Sequence, residues 1–269
     1  MLRKLMKHEF RATLRVMLPL YLLLVVTALG ARASISGLLG TESALVDILA
    51  SLLVVAFAIA MAAVCLVSVF LMVQRFYQNL LRDEGYVMMT LPVSVHQQVW
   101  SKLLVGVLWC AATVALVCLS LFILAFDLEM LEGFAQFAGD VWAFLKTEYG
   151  FNGVLVALEV IVVCILAVCS MYLEFYCALA IGHSRPNHKL VWSIAAYFGM
   201  DVFISLVGGP FVRALESTGI FDKLLSVVGE TATRTTHLAL WISALVCACS
   251  AAFYYAITTW FLKNRLNLE

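Results

Sequence analysis

Long apolar runs alternate with short polar joints along the whole chain. A membrane crossing needs about 20 apolar residues, enough for roughly 30 Å of hydrocarbon. Six runs are read as spans: Val16–Ala31, Ala44–Val73, Leu103–Phe126, Phe151–Ile181, Leu190–Gly209 and Leu238–Leu262. The second and fourth are long enough to tilt or to project beyond the bilayer. The pattern predicts an all-α polytopic membrane protein, with 1–269 forming a single transmembrane domain.

The joints carry patterns of their own. In residues 1–15, Leu2, Leu5, Met6, Phe10 and Leu14 repeat at helical spacing, while Arg3, Lys4, Lys7, Arg11 and Arg15 take the other positions. That pattern predicts a basic amphipathic helix lying on the inner leaflet. Leu131, Phe134, Ala138, Val141, Trp142 and Leu145 predict a further surface helix between the third and fourth runs. After the fifth run, Gly208, Gly209 and Pro210 predict a break, followed over 210–237 by half-helices too short to span, as an external cap or a re-entrant hairpin.

The joint between the second and third runs, 74–102, is the most structured. The second helix lacks a breaker through "QRFYQNLLRDE", so it projects past the membrane; Gly85 is the expected stop. Pro92 bars a helix from running through, and Ser94 three residues before Gln97 is a capping-box spacing. The expectation is a rigid elbow: helix, turn, bridging piece, then a capped helix. Arg82, Asp83 and Glu84 would give charged contacts at its tip, with Tyr86, Met88 and Met89 as an apolar plug. A solvated loop whose charges keep it out of lipid is the simpler alternative.

Composition narrows the class. The chain is 64% hydrophobic and 13% charged, with mean hydropathy +1.02 and net charge zero. Soluble domains are about 25% charged, and zero net charge gives nucleic acid no electrostatic attraction. All eight cysteines fall inside apolar runs and read as small hydrophobes, without disulfide or zinc-site spacing. If the N-terminus is inside, only Arg32, Lys146, Arg213, Lys223 and Arg234 of the 17 basic residues lie outside. That bias predicts cytoplasmic N- and C-termini.

The stretch "QRFYQNLLRDEGYVMMTLPVSVHQQVWSKLLVGVLW" resembles the region between the second and third spans of bacterial ABC-2 type transporter membrane subunits, particularly the Gram-positive type. "DEGYVMMTLPVS" is its most specific part; the opening "MLRKLMKHEFRATLRVMLPLY" and the six-span layout extend the likeness. The resemblance implies the permease half of an exporter in the bacterial cytoplasmic membrane. It would pair with a second permease copy or a related chain and bind a separate cytoplasmic ATPase, with ATP and Mg on that partner and no cofactor on this chain. It places Arg82, Asp83, Glu84, Gly85 and Tyr86 at the ATPase-coupling contact. No GxxxxGK[ST] phosphate loop occurs in the chain; "GHSRPNHK" lacks the strand and helix context such a loop needs.

Candidate chemistry inside the membrane rests on acids. Glu159 and Glu174 lie in the fourth run and Asp201 in the fifth. A charge at the bilayer centre costs about 2.5–3.5 kcal/mol on insertion scales, so such groups avoid lipid. They read either as the lining of a substrate path or as structural hydrogen-bonding groups. Fifteen residues separate Glu159 from Glu174, which places both within about 60° on one helix. His183 and His188 flank a short turn without metal-ligand spacing, and "KHEFR" offers His8 and Glu9 without the second histidine of a zinc protease. A secondary transporter or channel, or a membrane scaffold, is the alternative class.

Overall fold

The computed structural model describes residues 2–35, 44–82, 85, 90, 92–125, 128–144, 152–185, 187–219 and 232–264. Seven helices account for nearly all of them, and no strand occurs among the described residues: α1 (Leu2–Ile35), α2 (Ala44–Leu81), α3 (Val95–Ala125), α4 (Leu128–Phe144), α5 (Asn152–Gly182), α6 (Lys189–Ser217) and α7 (Ala232–Asn264). All but α4 are long and apolar enough to cross a membrane. Their outward faces are apolar, with Leu66 73% and Leu206 68% exposed. Hydroxyls along the spans donate back to carbonyls three or four residues earlier, as Thr27 does to Leu23, Ser120 to Val117 and Thr258 to Tyr254. Hydrocarbon offers no other partner for them.

The chain divides into two compact units. One comprises Met1–Arg75 and Trp100–Asp140, the other Phe76–Val99 and Val141–Glu269. In the first unit, Leu24, Ala28 and Ala31 of α1 form a narrow stripe buried with Phe57, Ala60 and Val64 of α2, and Leu116 and Val117 of α3 pack against it. Small residues let backbones approach closely, which is how membrane helices gain contact without a hydrophobic drive between them. In the second unit α5 packs on both α6 and α7. Ser170 of α5 and Ser250 of α7 hydrogen bond across that packing at 2.9 Å.

Three sequence expectations change in detail. The basic segment 1–15 is not a separate element; it is continuous with the first span through Pro19. Nothing in Ala12–Val16 breaks a helix, so one 34-residue rod of about 51 Å results. Second, α2 ends at Leu81, before Gly85, whose amide donates to the Arg82 carbonyl at 2.7 Å. Third, Gly208, Gly209 and Pro210 do not break the fifth span, which runs on as helix to Ser217. Proline removes one intrahelical bond and crowds the carbonyl four residues back, a loss a membrane helix tolerates. The helix stops instead near Gly219, whose φ of +64° is the left-handed conformation of a C-cap. By contrast, α4 forms where the spacing predicted a helix. The rest of the expected external cap, 220–231, lies outside the described residues.

Candidate functional site

Residues 76–99, the α2–α3 joint, belong to the second unit, whereas the spans on either side of them belong to the first. At the α2 end, Phe76 and Tyr176 of α5 stack with ring centres 3.9 Å apart and planes 6° from parallel, both fully buried. One residue on, Tyr77 meets His183 edge to face at 5.1 Å. The exposed Arg82 guanidinium lies 5.5 Å from the Tyr77 ring. His183 is only 3% exposed. Its Nδ1–H donates to the Leu179 carbonyl at 2.9 Å. Burial keeps its pKa below the ordinary histidine value, and the nearby Lys189 charge pushes the same way.

At the α3 end, Ser94 caps the helix as its spacing predicted, its Oγ accepting from the Gln97 amide at 3.3 Å. Two residues after Ser94, His96 is held by α7 on both ring nitrogens. Lys263 Nζ stands 2.9 Å from Nε2, and the Tyr255 hydroxyl 2.6 Å from Nδ1. An ammonium can only donate, so Nε2 accepts and Nδ1 carries the proton toward Tyr255. The joint is thus tied to α5 at one end and α7 at the other. Of the residues expected at its tip, Arg82 and Gly85 are described, Arg82 exposed and Gly85 buried; Asp83, Glu84 and Tyr86 lie outside the described residues.

The turn between α5 and α6 is closed by backbone contact. A side chain at Gly182 would put its first carbon 2.5 Å from the Ser193 amide nitrogen and 2.7 Å from the Lys189 carbonyl oxygen. His188 precedes α6 with φ of 54°, an uncommon conformation for a residue with a side chain, and its carbonyl accepts from the Trp192 amide at 3.1 Å. Arg185 lies 4.9 Å from the Trp192 ring.

The three intramembrane acids take different partners. Glu159 bridges α5 to α7, meeting His237 Nδ1 at 2.7 Å and accepting from Trp241 Nε1 at 3.0 Å. Glu174 instead faces Asp201 of α6. Glu159 and Glu174 both lie on α5, but each turns to a different neighbouring helix.

Sequence reasoning missed a buried ion pair among the described residues of the first unit. Glu9 of α1 and Lys102 of α3 are each 5% exposed, and Lys102 Nζ lies 2.5 Å from Glu9 Oε1. Arg75 of α2 approaches the other carboxylate oxygen at 4.0 Å. Beside them Trp109 Nε1 donates to Thr13 Oγ1 at 2.7 Å, and Phe10 stacks on Trp109 at 5.0 Å. A signal existed: Glu9 is the lone acid in a strongly basic stretch. No group of three or more metal-ligating side chains occurs among the described residues. No family model, curated protein or solved structure matches the chain.

Proposed function

We propose that this chain is the membrane subunit of an ATP-driven ABC-2 type exporter, moving a peptide or lipid-like substrate across or out of the cytoplasmic membrane. A separate ATPase subunit, docked at the α2–α3 joint, supplies the energy. The observation that carries this reading is the double fastening of residues 76–99, through Phe76 on Tyr176 of α5 and through His96 on Tyr255 and Lys263 of α7. A loop that merely kept out of the lipid would need neither a fully buried ring stack nor a two-sided histidine. A joint that receives a push needs both, because a load on it then moves α5 and α7 with it. The family resemblance of "DEGYVMMTLPVS" is the ground for naming an ATPase as the partner that pushes.

Pull-down from native membranes in mild detergent, followed by an ATPase assay, tests the proposal. A soluble ATPase should accompany the wild-type chain. With Asp83→Ala and Glu84→Ala combined, binding should weaken; with His96→Ala, the ATPase should stay bound while its activity no longer follows transport. A chain that purifies alone, with no ATPase at any detergent strength, overturns the reading.

A secondary transporter is favoured by one observation, the facing of Glu174 on α5 and Asp201 on α6. Two carboxyl groups facing each other within the spans are chemistry suited to carrying a cation or proton. Transport driven by an ion gradient without ATP would establish that alternative.

A further inference from the structure

Helix α1 turns its acid inward and its cations outward. Arg3, Lys7, Arg11 and Arg15 follow one another at four-residue intervals and are all exposed, with Lys4 and His8 exposed beside them. Glu9 is the only acid between Leu2 and Ile35, and it is 5% exposed, occupied by Lys102 and Arg75. Thr13 and Met17 extend its buried face at the same interval, 1% and 0% exposed. The outward face therefore keeps five lysines and arginines and no anion.

That arrangement is unfavourable in isolation. Like charges four residues apart on a helix repel. The first turn, where bare amides form the positive pole, contains Arg3 and Lys4 and no acid. An anionic partner relieves that repulsion, and the row from Arg3 to Arg15 is about 18 Å long. A single small ion neutralises one turn of such a row; a headgroup layer meets the turns that adjoin the apolar span, at Arg15, at Arg11 and, through its long side chain, at Lys7.

The next turns say where that layer is. Immediately after Arg15 the same helix exposes Val16 at 44%, Leu18 at 53% and Leu22 at 58%. An apolar surface of that kind belongs in hydrocarbon, so the cationic row adjoins the level of the lipid headgroups. The Glu9–Lys102 pair and the Trp109–Thr13 hydrogen bond fix the rotation of α1 about its axis, which holds the row outward.

We propose that the part of this row nearest the span, Lys7, Arg11 and Arg15, is a binding surface for the phosphate headgroups of anionic phospholipids. The surface needs only that the chain spans a membrane and is independent of what the chain transports or what powers it.

The full chain in mild detergent, titrated with phosphatidylglycerol or with phosphatidylcholine of the same acyl chains, tests this through its thermal unfolding midpoint. Phosphatidylglycerol should raise the midpoint, phosphatidylcholine should not, and the effect should shrink as salt is added. Apparent affinity should fall about 5-fold for each cation removed. Lys7→Gln with Arg11→Gln should therefore weaken it by the square of that factor, while Arg213→Gln with Arg234→Gln, on other helices, should leave it unchanged. Three results overturn the proposal: equal stabilisation by phosphatidylcholine, reproduction of the shift by inorganic phosphate, or wild-type affinity in the Lys7/Arg11 variant. Should that variant not fold, the wild-type salt series decides alone, and an affinity unmoved by salt rejects the surface.

Discussion

Glu9 on α1 and Lys102 on α3 form an ion pair with both partners 5% exposed, Nζ 2.5 Å from Oε1. The pair joins helices 93 residues apart in sequence. Removing one member strands the other where water cannot reach it, at a typical cost of about 3–5 kcal/mol. Lys102→Met should therefore lower the thermal midpoint sharply. Glu9→Leu combined with Lys102→Met should recover most of the loss, because the remaining cation, Arg75, keeps 28% of its side chain exposed. Unfolding of both single variants and the double variant in one detergent gives the coupling energy; additive losses would show that the pair contributes nothing specific.

The α5–α6 turn predicts a sharp contrast between glycines. Gly182→Ala drives a carbon into the backbone at Ser193 and Lys189 and should cost about 3 kcal/mol, at the upper end of overpacking. At Gly199 and Gly208, by contrast, an added side-chain carbon would meet nothing within 4 Å. Gly208→Ala should stabilise the helix by about 0.5–1 kcal/mol, since alanine restricts the unfolded chain and favours helix. Thermal midpoints of the two variants should move in opposite directions, and a loss at Gly208→Ala would show that the glycine is needed for a bend.

His183 sets a pH dependence whose sign follows from its burial. Its folded pKa lies below the ordinary value of 6.5. Unfolded, the ring takes up a proton below about pH 6.5, while the folded chain resists it. Stability is unaffected above that pH and declines as pH falls through it, until the lower folded pKa is reached. His183→Gln should flatten the difference between thermal midpoints at pH 7.5 and 5.5. An unchanged difference would assign the pH dependence to other groups.

Asp201 distinguishes a transport path from a structural bond. Asp201→Asn keeps a hydrogen-bonding side chain opposite Glu174 but removes an ionisable group. If the pair contributes to transport, the rate of assembled, reconstituted protein should fall about 10-fold, equivalent to ~1.4 kcal/mol in the barrier. A wild-type rate at normal assembly makes the pair structural. Glu159→Gln makes a useful companion, since its bonds to His237 and Trp241 tie α5 to α7, and its loss should show first in assembly.

The six helices long and apolar enough to span were legible in the sequence, because a stretch immersed in hydrocarbon must be apolar along its whole length and must satisfy its backbone internally. The Ser94 cap and the helix at Leu128–Phe144 were equally local, depending on residues three or four apart. Where the sequence misled, local preference yielded to context. Gly208, Gly209 and Pro210 would end a helix in water, yet lipid favours keeping every remaining backbone bond, so α6 passes through them to Ser217. Partnership was a different kind of problem. Glu9 finds Lys102, His96 finds Lys263, and Glu174 finds Asp201 across tens to hundreds of residues. No periodicity encodes those meetings, since each depends on which faces of two helices are brought together by packing. The residues available for buried polar contact can be read from composition along the chain; their pairing is settled by the rotation of each helix against its neighbours.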